Sequence, residues 1–137
     1  ATLVVAIDLG SKKLMQQYLH EAINAGGLLS LVPAANSGFS FNAMSGHTVV
    51  TVLLAITALL FCAHLLTRVQ SKISTVALAF IIGGGLSNLF DRAFHDGQVS
   101  DFIGVSTWFV CNGADIAISL GVVLLLVPFC TGRKVLR

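Results

Sequence analysis

Charge is scarce in this sequence. Eight Lys or Arg and six Asp or Glu serve 137 residues. That is 10% of the chain, where a soluble globular domain carries about 25%. Too few charges remain to solvate a folded surface. With 55% hydrophobic residues and a mean hydropathy of +0.90, disorder is excluded as well, because a disordered chain needs low hydrophobicity and high charge. The net charge of +2 comes without a basic cluster, which excludes a nucleic-acid binder. Cysteine is also sparse: Cys62, Cys111 and Cys130 are odd in number and form no CxxC pair. Cys62 and Cys130 lie in apolar runs, where a thiol acts as a small hydrophobe. His20, His47, His64 and His95 are scattered without zinc-like spacing, so no metal is expected. No Ser lies in a nucleophile elbow, and Gly83-Gly84-Gly85 lacks the Lys-Ser/Thr of a phosphate loop and suits close helix approach instead. No cofactor is expected, and no internal repeat or low-complexity tract is visible.

What is present is apolar length. Residues 47–66 and 73–90 are uncharged runs of 20 and 18 residues, close to the ~20 that a spanning helix needs. Residues 116–132 give a third run, which spans if its helix begins a turn earlier, near Asn112. Residues 1–19 are less clean, because Asp8, Lys12 and Lys13 interrupt them; they read as the outer part of a first helix. The sequence therefore predicts one integral membrane domain over residues 1–137, with four spans at about 1–19, 47–66, 73–90 and 112–131. Arg68 and Lys72 lie in the link between spans two and three, and Arg133, Lys134 and Arg137 lie in the tail. The positive-inside rule puts both on the cytoplasmic side, including the C-terminus. Outer segments 21–46 and 93–110 follow. The first has turn chemistry around short apolar strands, with Gly26, Gly27, Pro33 and Gly38. The second opens with the turn signal His95-Asp96-Gly97. Tyr18 and Trp108 suit an aromatic belt at the outer interface.

Ionisable groups at membrane depth are costly, so they are functional candidates by default. Asp8, Lys12, Asn88, Asp91, Arg92, Asp101, Asn112 and Asp115 all fall toward the outer ends of the helices. In this topology they converge on one layer. Asp8 and Lys12 share a helix face at four-residue spacing, as an ordinary ion pair or as part of something larger. Arg92 either snorkels to the interface or binds, and Asn88, one turn earlier, shares its face. If Asp101 and Asp115 meet, they offer the chemistry of an aspartic protease: two close carboxylates share a proton, and the ionised one activates water. The competing reading makes Asp115 a helix cap and Asp101 a loop acid.

Five motifs in chain order resemble the lipoprotein signal peptidase (signal peptidase II) family, four-span aspartic peptidases of the bacterial inner membrane. Asp8-Leu9-Gly10-Ser11-Lys12 resembles DxxSK, and Asn36-Ser37-Gly38 with Phe41 resembles NxGxxF. Gly84 to Arg92 is similar to GxxxNxxDR, Val99-Ser100-Asp101-Phe102 to VxDF, and Asn112-Gly113-Ala114-Asp115 to NxAD. The resemblance covers nearly the whole chain. It departs at Phe39, where a small residue is usual, and at Cys111, where Phe is usual.

The resemblance implies an all-α membrane protein, four transmembrane helices with a small extracytoplasmic β-cradle between helices 1 and 2. It implies a catalytic pair, Asp101 and Asp115, and substrate-binding residues Asn36, Gly38, Gly84, Asn88, Arg92 and Asn112. Asp8, Lys12 and Asp91 would give structural support. Partners would be prolipoproteins carrying a diacylglyceryl Cys, membrane lipids and globomycin-like peptide inhibitors, with no nucleic acid; the chain would act as a monomer. Its site would face the periplasmic side of the inner membrane. A different class of function competes: a non-enzymatic four-span binder or transporter of lipidated peptides, with the acids used structurally or for proton coupling. The missing internal repeat argues against a transporter.

Overall fold

The computed structural model describes residues 1–24, 27–36 and 48–130. Four helices, α1 (Thr2–Tyr18), α2 (Thr48–Leu66), α3 (Lys72–Phe94) and α4 (Gly113–Cys130), fall where the apolar runs predict them. The third runs a turn past its apolar stretch, which keeps Asp91 and Arg92 on the helix. Among them, α2 and α3 are long and apolar enough to cross a membrane, and α4 contributes the shorter apolar stretch Gly113–Pro128. Burial is inverted relative to a water-soluble fold. Asp8, Lys12, Ser74, Ser87, Asp91 and Asn112 are buried, while Leu3, Leu53, Leu60, Phe61 and Val123 point outward. Apolar helix faces turned outward over ionisable ones turned inward suit lipid as the solvent.

α3 is the hub, packed against α1, α2 and α4. Its buried positions are Ser74, Ala77, Leu78, Gly83, Gly84, Ser87 and Asp91; of these Ser74, Ala77, Gly84, Ser87 and Asp91 follow one another at steps of three, four or seven, which makes one stripe on a helix. The glycine triplet extends the contact to all three neighbours. Successive helical residues are rotated by about 100°, so the three positions fan out. A Cβ at Gly83 would lie 2.8 Å from Val4 Cβ on α1, at Gly84 2.5 Å from the Ala114 carbonyl on α4, and at Gly85 2.8 Å from Leu59 Cδ2 on α2. Small residues allow such close backbone approach in membrane bundles. The expectation of a helix-packing triplet holds.

A four-stranded antiparallel sheet covers the end of the bundle where α1 and α3 finish and α2 and α4 begin. Its order is β1 (Ile23–Asn24), β2 (Leu29–Asn36), β3 (Val99–Val105) and β4 (Phe109–Cys111). This enlarges the expected cradle, because among the described residues β1 and β2 alone lie between the first two helices. β3 and β4 come from the second outer segment, where residues 99–111 form a hairpin rather than a helix. α3 releases the chain into it through His95-Asp96-Gly97, with Asp96 at φ 51° and Gly97 at φ 80°. That left-handed turn costs Gly little.

β2 carries an irregularity that matters for the site. Leu31 pairs with Ile103, but Ala34 pairs with Asp101, so one extra residue is accommodated around Val32 and Pro33. Pro33 has no N–H to lose there. Because side chains alternate with period two, the extra residue exchanges faces. Asn36 therefore shares a face with Leu29, and both line the main cavity.

Candidate active site

Two hydrogen-bonded layers meet at this end of the bundle. The inner layer is a buried ionic cluster. Lys12 Nζ lies 2.6 Å from Asp8 Oδ2 and 3.1 Å from Asp91 Oδ2, and donates to Asn88 Oδ1 at 3.0 Å. Asp8 also accepts from Ser87 Oγ at 2.7 Å and from the Ala114 N–H at 2.7 Å. The second contact sets a carboxylate on the first turn of α4, where unpaired N–H groups and the helix dipole favour negative charge. Asp91 accepts the Ser100 N–H at 3.1 Å, which ties β3 to α3. All three ionic side chains are nearly inaccessible, 1% for Asp8 and Asp91 and 2% for Lys12. Asp8 and Lys12 are thus part of a larger cluster that fastens α1, α3, α4 and the sheet together.

The outer layer holds the two acids. Asp101, 3% exposed, accepts from Asn36 Nδ2 at 3.1 Å and from Asn112 Nδ2 at 2.6 Å. Asp115 accepts from Asn88 Nδ2 at 2.8 Å and from the Asn112 N–H at 3.3 Å. The Asp115 N–H in turn donates to Asn112 Oδ1 at 3.0 Å. Asn112 and Asp115 therefore form a reciprocal capping box at the start of α4. Capping and acid-pair readings of Asp115 are compatible, because one oxygen caps while the other faces Asn88. Asn112 Nδ2 also lies 3.2 Å from Asn88 Oδ1. The amides form a relay: Lys12 fixes the Asn88 oxygen, which aims the Asn88 NH₂ at Asp115.

Burial, reinforced by the negative charge of Asp115, pushes the Asp101 carboxyl from 3.8 up to about 6, against the lowering pull of Asn36, Asn112 and Lys12. The folded chain thus binds this proton more tightly than the unfolded chain. Stability must then fall as pH rises from about 4 to about 6 and level off above. Asp101→Asn removes that dependence. Thermal midpoints of wild type and variant, compared between about pH 4 and pH 7, should diverge across this window; parallel curves would contradict the environment described. Cys111, on the cavity wall, is pushed up to about 11 by burial and by both acids. A protonated thiol is a poor nucleophile at neutral pH.

A cavity of about 620 Å³ opens beside the acids. Asn36, Asn88, Arg92, Asp101 and Asp115 form its polar end, and α2, α4 and the sheet give apolar walls through Leu59, Leu120, Val123, Ile103 and Phe109. Arg92 donates to the Asn88 carbonyl at 3.3 Å while facing this space. Asn112 sits behind the acids rather than on the wall. Gly84 is packed against Ala114 and Ile118, and it is Gly85 that borders the cavity. Gly38, Phe39 and Phe41 lie outside the described residues. Ser87 and Ser100 are not among the site residues that the sequence predicts; Ser87 stands one turn before Asp91 on the buried face, but its hydroxyl donates to Asp8 on α1, a partner that no spacing within α3 reveals. Among the described residues no cluster of three His, Cys, Asp or Glu side chains suits a metal ion.

Fold and site define a helical membrane protein whose buried polar centre opens into an apolar groove. Comparison with known proteins is consistent with this. The family model described as signal peptidase (SPase) II matches residues 1–131. The lipoprotein signal peptidase of Photorhabdus laumondii subsp. laumondii is 35% identical over 136 residues, covering 90% of this chain and 81% of that protein. The lipoprotein signal peptidase of Methylocella silvestris is 41% identical over 106 residues, covering 72% of this chain and 61% of that protein. A bacterial membrane enzyme structure determined by the in meso method at 2.3 Å superposes with a TM-score of 0.87 at 21% identity, over 95% of this chain and 84% of that one. The chain belongs to the signal peptidase II family.

Proposed function

We propose that this chain is an aspartic endopeptidase that removes the signal peptide from diacylglyceryl-modified prolipoproteins, cutting just before the lipidated Cys. The observation that carries the aspartic type is the placing of Asp101 and Asp115 at the polar end of an apolar groove, each held by amide donors from a different element. Two acids at one desolvated site share a proton. The ionised member takes a proton from water as the water oxygen attacks the scissile carbonyl carbon, and the protonated member donates to the carbonyl oxygen. Collapse of the resulting intermediate breaks the C–N bond, and a proton passes to the leaving nitrogen. Asn36, Asn88 and Arg92 hold the substrate backbone, while the apolar walls take acyl chains and the signal peptide. In this reading all four helices lie in the inner membrane, the sheet faces the periplasm and the C-terminus the cytoplasm. Globomycin-like peptides would occupy the same groove.

The test is cleavage by the full chain in lipid of a prolipoprotein with and without its diacylglyceryl group. A single cut immediately before the Cys is expected, for the lipidated form only. Cutting elsewhere, or binding without cutting, would return the chain to the class of lipopeptide binders.

A further inference from the structure

A second, smaller cavity of about 70 Å³ lies on the other side of Asp101, between α1 and the sheet. Lys12, Met15, Gln16, Ala34, Ser100 and Asp101 border it. Asp101 is the one described residue that lines both this space and the large groove. Gln16 is exposed, whereas Lys12 and Asp101 are buried, so the cavity runs from an accessible rim to a buried floor. At the rim Gln16 Nε2 donates to Ser100 Oγ at 2.6 Å. The residues that follow, Gln17, His20 and Glu21, are polar and exposed, as they would be at an aqueous boundary.

We infer that this small cavity delivers the water consumed in each cleavage to Asp101 from the side opposite the substrate. The inference rests on the acid-pair reading above. A lipidated peptide filling the groove covers the polar end with apolar matter and shuts out water from that direction. Yet every cleavage incorporates one water: its oxygen bonds to the carbonyl carbon, one proton passes to the ionised carboxylate, and the C–N bond breaks as nitrogen is protonated. A space of this size is well above the roughly 10–15 Å³ that one water needs, provided that polar partners hold it. The Asp101 carboxylate, the Ser100 hydroxyl and the Gln16 carbonyl oxygen are such partners, whereas the three donors of Lys12 are already taken by Asp8, Asp91 and Asn88.

Ala34 pairs directly with Asp101 across the sheet and is the wall position that a larger side chain can fill. In the full chain reconstituted in lipid, Ala34→Val and Ala34→Leu should lower kcat in order of volume, by about tenfold or more for Leu, with KM for a lipidated prolipoprotein within about twofold. Binding of a non-hydrolysable lipopeptide should not change. Met15→Phe, which plugs the space from α1, should reproduce the same split if Ala34→Leu does not fold. Wild-type kcat in a folded plugged variant, with Asp101→Asn inactive, would overturn water delivery and leave the acid pair standing. A rise in KM matching the loss in kcat would overturn it too, since the cavity would then only support the groove. Turnover by Asp101→Asn would overturn both readings.

Discussion

Asp101→Asn and Asp115→Asn should each fold, insert and bind a lipidated substrate while losing nearly all turnover. Each exchange keeps the side-chain size and part of the hydrogen bonding, but neither leaves a pair able to share a proton. A positioned acid or base is worth roughly 10²–10⁴ in rate. Because the acids act as one unit, the double variant should be little slower than either single one. Asp115→Asn is the more informative. Its carbonyl oxygen can still accept the Asn112 N–H, so the capping box survives while the acid is gone. Turnover above about a tenth of wild type, well short of that penalty, would reduce Asp115 to a helix cap. Single-turnover cleavage in lipid, with substrate binding measured on the same preparation, reads both arms.

The largest effect on stability should come from Lys12. Its ammonium lies between the buried carboxylates of Asp8 and Asp91 and pairs with both. Removing one member of a buried ionic cluster strands the others without compensation, which costs about 3–5 kcal/mol. Lys12→Met keeps most of the stem volume, so the loss is electrostatic rather than a matter of packing. Asp8→Asn should cost less, because one carboxylate departs and its amide oxygen can still accept from Ser87 or Ala114. Unfolding in detergent ranks the two variants. Equal stability of Lys12→Met and wild type would contradict the burial described. The Lys12 variant should also lose rate out of proportion to binding, since the Asn88 amide is no longer held facing Asp115.

Much of this was legible in the sequence. The apolar runs mark the four helices, and the placing of polar residues toward one end of three of them foretells the single polar layer. The glycine triplet announces close packing, though not that it serves three neighbours at once. What could not be read was tertiary. Nothing local pairs residues 29–36 with 99–105, so the second outer segment did not declare itself as the centre of the sheet. The Asp8–Lys12 spacing shows a pair, but Asp91 as a third member comes from the approach of α3 to α1. Asn112 read as substrate-side, whereas the start of α4 turns it into a shared donor behind the acids. Gly84 and Gly85 are neighbours in sequence, and only the rotation of α3 decides which one meets the cavity.

The extra residue near Pro33 gives β2 something like a reading frame. Upstream of it the odd positions Leu29 and Leu31 share the face that Ala34 and Asn36 share downstream. Loops on either side can absorb a gained or lost residue by changing their path. A single insertion between Ala34 and Asn36 would instead turn the amide away from Asp101 and present its neighbour, although every side chain of the site was still encoded. A second insertion beside the first would bring the amide back to the right face. In this strand, parity as well as composition is under constraint.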